Sequence, residues 1–249
     1  MRRKGKELAR SAAAALFWLA VWHVGAMLAN RSLLLKIPLP PDTLRAFARL
    51  CGERDFWRGA ALSVLRILGG FLSGAVLGAA GGIASASSEW FRRLSSPLLR
   101  LTRTVPVAAF ILLAWLWIPS RVLPSFVSAL MVLPIVWSHV GAGLASVDER
   151  LLETAKIFGM GPWRILTEVR LPLTSPALRA GCLTGVGIAW KAGVAAEVIC
   201  NPTDSVGALL QGAKAAIDYE RVFAVTLAVV LLSVLFENAL KLIWKEPRR

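Results

Sequence analysis

The chain has 249 residues, of which 56% are hydrophobic and 18% charged, with a mean hydropathy of +0.62. A soluble domain is about 45–50% apolar and about 25% charged, so this composition excludes that class and points to a polytopic α-helical membrane protein. The formal net charge of +14 suits basic loops at a membrane surface, and no basic run is interleaved with stacking aromatics, so nucleic acid is set aside as a partner in favour of the lipid bilayer.

Six apolar runs follow in chain order, continuous rather than alternating, which excludes a β-barrel. The first, 11–29, follows the basic residues 2–10. It is longer than the about 7–15 residues of a signal-peptide core and lacks an A-x-A site, so a retained anchoring helix is expected. The others are 59–85, 97–118, 122–146, 175–200 and 222–244. Ser96-Pro97 and Ser175-Pro176 read as helix starts, with Pro at the first helical position. Pro106 and Pro134 fall inside the third and fourth spans, where kinks or breaks are expected. The division is an N-terminal anchoring helix with an extracytoplasmic segment (1–56), a transmembrane core (57–244) and a basic cytoplasmic tail (245–249).

In the second span Gly70, Gly74, Gly78 and Gly82 recur every four residues and lie along one helix face. Small residues allow close backbone approach in lipid, so this face should meet another helix, within the subunit or across a seam between two subunits. The cysteines Cys51, Cys182 and Cys200 form no C-x-x-C pair and read as small apolar fillers.

Lysine and arginine set the orientation. With the N-terminus inside, residues 1–10, 87–103, 147–174 and 241–249 are cytoplasmic and carry 17 basic residues, against 9 on the outside. Both termini are therefore expected in the cytoplasm. The first outside segment, with Arg31, Lys36, Arg45, Arg49, Arg54 and Arg58, runs against that bias.

A charged insert separates the fourth and fifth spans. Residues 149–158 read as a short helix whose apolar face is Leu151, Leu152, Ala155 and Phe158. Gly159 to Gly161 break it, Pro162 opens a second short helix with Ile165, Leu166 and Val169 on one face, and Leu171-Pro172 ends that helix. Such an elbow is either an amphipathic connector lying in the headgroups or a docking surface for a cytosolic partner.

Glu153-Thr154-Ala155, three residues, Gly159, nine residues, then Val169-Arg170-Leu171-Pro172 resembles the signature loop of binding-protein-dependent ABC importer permeases. That signature reads Glu-Ala-Ala, three residues, Gly, nine residues, Ile-x-Leu-Pro; Thr154 and Val169 are mild departures from it. The stretches SVLRILGGFLSGAVLG, RTVPVAAFILLAWLWIPS and GIAWKAGVAAEVI are similar to the branch associated with nitrate, taurine and aliphatic sulfonates. The resemblance covers about residues 57–244. It implies an all-α type I ABC importer permease of about six transmembrane helices in the cytoplasmic membrane, paired with a second permease subunit, in this family often as a homodimer. It also implies cytosolic ABC ATPase subunits gripping a coupling helix after Glu153, and an extracytoplasmic solute-binding protein that delivers the solute. Gly161 and Pro162 belong to that coupling loop. ATP and Mg would sit on the ATPase, since this chain has no G-x-x-x-x-G-K-[ST] loop and no cofactor of its own is expected.

Within the spans Lys191 is the sharpest candidate for contact with solute, beside Trp190 and with Glu197 six residues on. An ionisable group inside a membrane costs about 2.5–3.5 kcal/mol on insertion scales, so Lys191 should line a wet pathway or pair with a carboxylate. Six residues turn a helix by about 240° net, so Lys191 and Glu197 should not share a face. Arg66 and Arg179 read as side chains that snorkel to the interfaces, and His23 and His139 as packed polar groups. With no paired carboxylates, metal-spaced histidines or nucleophile elbow, a transport subunit is expected rather than an enzyme. An ion-gradient-driven secondary transporter using Lys191 and Glu197 as relay residues is the alternative.

Overall fold

The computed structural model describes residues 2–31 and 36–243, so the basic tail at 245–249 lies outside the described residues. Its long elements are α1 (Arg2–Ala29), α3 (Arg54–Ser87), α6 (Leu123–Ala145), α9 (Leu171–Cys200) and α11 (Tyr219–Ile243). Each belongs to one of the five helices, among the described residues, that are long and apolar enough to cross a membrane. The third expected span, 97–118, is instead broken into α4 (Glu89–Thr104) and α5 (Val107–Trp115), inclined at 99°. Val105 is extended (φ −71°, ψ 127°), as a residue before proline prefers, and Pro106 carries no N–H to continue the ladder.

The long helices run antiparallel or parallel according to which end of the bundle they share. Gly70, Gly74, Gly78 and Gly82 of α3 face Ser125, Ala129, Leu133 and Trp137 of α6, in the same order, so the two helices run parallel. The approach leaves no room for a side chain: a Cβ on Gly74 would lie 2.5 Å from the Ala129 carbonyl oxygen and one on Gly78 2.6 Å from that of Leu133, while one on Gly70 would overlap the Ser125 carbonyl. The glycine stripe is thus spent inside the subunit. On its other side α6 packs antiparallel to α9, with Gly143 against Ala177 and Gly181 against His139. The core between the three helices is Ile67, Phe71, Val132, Val136, Val186 and Ala189, closed from α11 by Phe236. In contrast α1 is exposed almost throughout its apolar stretch and touches the bundle at its C-terminal end, through buried Ala26 and a Trp22–Phe223 stack.

Three proline positions depart from the sequence reading. Pro97 does not open a helix: α4 begins at Glu89, capped by Ser88, whose hydroxyl accepts the Phe91 N–H. The Ser96 hydroxyl donates to the Arg93 carbonyl at 3.2 Å, the acceptor that the missing Pro97 N–H leaves open. Nor does Leu171-Pro172 end a helix, and Pro176 likewise sits inside α9. The chain runs on from α8 (Pro162–Arg164) through a π-helical segment, Ile165–Arg170, into α9. A ring at position 172 would crowd the carbonyl four residues back, and the wider π turn just before it makes room without breaking the rod.

Two short helices lie at the opposite end of the bundle from the charged elbow. α2 (Pro40–Cys51) packs on the start of α11, and α10 (Val206–Ala215) packs between α9, α11 and the start of α3. Both fall in stretches that the sequence marks only as outside segments between spans.

Candidate coupling elbow and translocation face

The first limb of the elbow is α7 (Glu149–Ile157). Asp148 caps it by accepting the Arg150 N–H at 2.9 Å, and Thr154 donates its hydroxyl to the Arg150 carbonyl at 2.8 Å. The helix closes in a Schellman motif: Met160 N–H bonds the Ala155 carbonyl and Gly159 N–H that of Lys156. Gly159 holds φ +76°, a conformation that side chains with a Cβ rarely adopt, and open space surrounds its Cα. Gly161 has ordinary extended geometry (φ −67°, ψ 162°) and also faces open space, so the fold places no demand on it.

The two limbs differ from the sequence reading in which apolar residues they bury. Ala155 and Ile165 are buried and Leu152 half-buried, holding α7 to the π segment. Leu151 and Phe158 are instead exposed, Phe158 at the end of α7 where the chain turns at Gly159. Ile157, Phe158 and Trp163 stand out at the tip, 83%, 81% and 73% exposed, with Glu153 on the same open surface. On the second limb Arg164 pairs with Glu168 at 3.1 Å, Val169 and Leu171 are half-buried, and Pro162 and Pro172 are exposed. Behind the elbow lies a cavity of about 540 Å³ lined by Arg92, Ser95, Glu149 and Arg170.

The three pathway candidates on α9 separate. Trp190 is buried in the core, where its indole N–H donates to the Val229 carbonyl of α11 at 3.1 Å and its ring tilts against Phe236. Lys191, one residue on, is exposed and makes no ion pair among the described residues. It shares an open stripe with Thr184, Ile188 and Ala195, spaced three and four apart. Glu197 lies on the opposite side and is fully buried.

Glu197 is the centre of a polar cluster. Ser63 of α3 donates its hydroxyl to Glu197 Oε2 at 2.7 Å, and the Gly207 N–H reaches the same oxygen at 3.3 Å. Ser63 Oγ in turn accepts the Val206 N–H at 3.0 Å. The Arg66 guanidinium lies 3.6 Å from Glu197 Oε1 and also donates to the carbonyls of Asp204 and Thr203, at 3.1 and 3.3 Å. The cluster ties α3, α9 and the start of α10 together. Gly207 has no room for a Cβ, since one would overlap that of Glu197. Both charges stand out in the sequence, but Arg66 does not snorkel to the interface as expected: its side chain is 15% exposed and turned to Glu197. Ser63 and Gly207 carried no signal, because their partners lie in other helices.

Residues 74–248 match the family described as the inner membrane component of binding-protein-dependent transport systems. The chain belongs to this family. It is the permease subunit of an ABC importer, a multi-pass inner-membrane component that works with an ATPase and a binding protein, as the family does in general. This permease is 28% identical to the taurine transport system permease protein TauC of Escherichia coli K12, over 90% of this chain and 82% of that one. It is 27% identical to the putative aliphatic sulfonates transport permease protein SsuC of the same organism, over 87% and 81% of the two chains. Its fold is similar to a crystal structure of an amino acid ABC transporter with histidines, with a TM-score of 0.54 at 16% identity, over 82% of this permease and 92% of that chain. The family match removes the ground for an ion-gradient-driven transporter.

Proposed function

We propose that this permease passes a small anionic solute of the sulfonate, taurine or nitrate type, along a pathway formed by two copies of the chain. The observation that carries this reading is the position of Lys191. It stands roughly 14 Å from the end of α9 by helix rise, inside a membrane-spanning helix, on an open face and, among the described residues, without a carboxylate partner. A cation there is too costly to leave against lipid. A second copy packed along the stripe of Thr184, Ile188 and Ala195 would enclose it in a wet, protein-lined passage and supply a second lysine. Two such charges favour an anion, which agrees with the solutes named for the similar permeases.

The elbow is where the ATPase grips. ATP and Mg belong to that partner. Exposed apolar residues at the tip, Ile157, Phe158 and Trp163, suit a groove on a protein, and Glu153 gives that contact a charge. The solute-binding protein delivers from the other end, over α2 and α10. Both termini are cytoplasmic, since the basic residues favour that side, and three of the six on the outer segment are already engaged: Arg45 with Asp42, Arg49 with Glu220 and Arg58 with Asp204.

The test is ATP-driven uptake of labelled taurine, an alkanesulfonate and nitrate into vesicles holding the permease with its ATPase and binding protein. Lys191→Met should reduce uptake of the transported anion at least tenfold, with Lys191→Arg retaining most of it. Equal uptake by the Met variant would remove Lys191 from the pathway.

A further inference from the structure

Helix α4 carries a pattern that solute transport does not use. Its sequence, EWFRRLSSPLLRLTRT, sets four arginines and a single glutamate among large apolar residues. Three faces separate at helical spacing. Phe91, Ser95 and Thr102 turn to the bundle: Phe91 stacks on Trp137 of α6 with ring centroids 5.8 Å apart, and Ser95 is buried. Trp90, Leu94, Leu98 and Leu101 form a second face that stays open, each residue at least 59% exposed. Arg93 and Arg100, seven residues apart and both exposed, mark the third, with Arg92 at its edge. Arg92 and Arg93 share Glu89 Oε1, at 3.3 and 2.9 Å, and Arg100 makes no ion pair among the described residues.

The direction of the helix decides what the open face meets. α5 lies along α6, with Phe110 stacked on Phe126 and Ile111 and Ala114 packed beside Leu123 and Val127. It therefore follows the bundle axis, and α4, inclined to it at 99°, lies across that axis. Only Ser88 separates α4 from the end of α3, and α4 borders the cavity behind the elbow. Its 16 residues make a rod roughly 24 Å long, too short and too charged to cross about 30 Å of hydrocarbon. Lying flat where a spanning helix leaves the membrane, it can set its leucines in hydrocarbon, its tryptophan at the boundary and its arginines among headgroups. The arginine fork matches a phosphate. A zwitterionic headgroup brings its own cation to that phosphate, whereas an anionic one leaves the charge for arginine.

We propose that α4 lies flat in the leaflet on the elbow's side and binds anionic phospholipid there. Arg93 and Arg100 hold the headgroup phosphates, and the acyl chains cover Trp90, Leu94, Leu98 and Leu101. This surface is separate from the stripe of Lys191 and does not depend on which solute is carried.

The test uses the permease in complex with its ATPase, delipidated in detergent and equilibrated with equimolar dioleoyl phosphatidylglycerol and dioleoyl phosphatidylcholine. Bound lipid is counted by native mass spectrometry. Each basic residue near an anionic surface is worth about fivefold in binding, so Arg93→Gln combined with Arg100→Gln should cut the preference for phosphatidylglycerol about tenfold or more. The corresponding pair of lysine substitutions should keep most of it. A preference unchanged in the glutamine pair overturns the proposal. A nitroxide at Leu98→Cys, in a Cys51→Ser background, reads what covers the open face. In nanodiscs containing phosphatidylglycerol it should be relaxed by oxygen and not by a water-soluble nickel chelate. Relaxation by the chelate would put α4 in water, and shielding from both reagents would mean that the ATPase or a second copy of the chain covers the face. Either result overturns the proposal.

Discussion

The Arg66 guanidinium and the Glu197 carboxylate meet 3.6 Å apart between α3 and α9, and the same guanidinium holds the carbonyls of Thr203 and Asp204. This pair links two core spans to the connection leading into α10. A buried carboxylate that loses its cation is strongly destabilising, typically by about 3–5 kcal/mol, whereas losing both charges together costs far less. Arg66→Met should therefore lower the unfolding midpoint in detergent sharply, and adding Glu197→Gln should recover much of the loss. The double-mutant cycle should give a coupling of about 1 kcal/mol or more. Additive effects of the two changes would mean that the pair contributes nothing as a pair.

The α3–α6 seam gives a contrast between neighbouring glycines. Gly70 faces the Ser125 backbone with no room for a methyl group, whereas Gly69, one residue earlier, faces open space. Gly70→Ala must push two helix backbones apart, and overpacking of this kind costs about 1–3 kcal/mol. Gly69→Ala meets nothing and gains helix propensity, about 0.5–1 kcal/mol. Thermal unfolding of the two variants should move in opposite directions.

Much of this was open to sequence reasoning, and the exceptions have physical causes. Long apolar runs marked the spans, and Pro106 marked the break in one of them, since a missing N–H and a restricted preceding residue act locally. Pro97, Pro172 and Pro176 mislead for the same local reason: proline alone reads as a boundary, yet all three lie inside continuous helix, and at Pro172 a π turn just before it absorbs the ring. In α2, Pro40-Pro41-Asp42 followed by buried Thr43, Ala46 and Leu50 is a readable amphipathic start, overlooked beside the stronger membrane signals. The Arg66–Glu197 cluster was not readable. Its members are separated by most of the core, with Ser63 and Glu197 134 residues apart, and nothing local records which helices become neighbours. Phe158 was assigned inward by its spacing from Leu151 and Ala155, but the periodicity ends where Gly159 turns the chain.

The elbow separates a conformational role from a contact role. Gly159 needs its φ of +76°, and asparagine tolerates that region better than other residues with a Cβ. Stimulation of the ATPase by solute-loaded binding protein should survive Gly159→Asn in large part, fall about tenfold in Gly159→Ala, and vanish in Gly159→Asp and Glu153→Lys. All four variants should keep wild-type expression and melting behaviour within a few degrees, because neither residue is packed. Full stimulation in Glu153→Lys and Gly159→Asp would mean the ATPase grips elsewhere. Gly161→Ala, at ordinary backbone angles, should be silent.

The π segment sets how the elbow is aimed. From Pro162 to Cys200 the chain is one rod of 39 residues, so a rotation of the elbow is carried directly into the helix that bears Lys191. The Leu171 N–H bonds the Leu166 carbonyl, five residues back, which inserts an extra residue into the turn before Pro172. Pro172→Ala restores the N–H and removes the ring, so the turn should relax to an ordinary α turn. The elbow would then swing by roughly 100° about the rod relative to α9, the angle of one residue. Spin labels at Ile157→Cys and Leu235→Cys, both exposed sites, should report this as a changed distance by pulsed electron resonance, with loss of ATPase coupling. An unchanged distance would show that packing of Ile165 and Ala155, rather than Pro172, holds the π turn open.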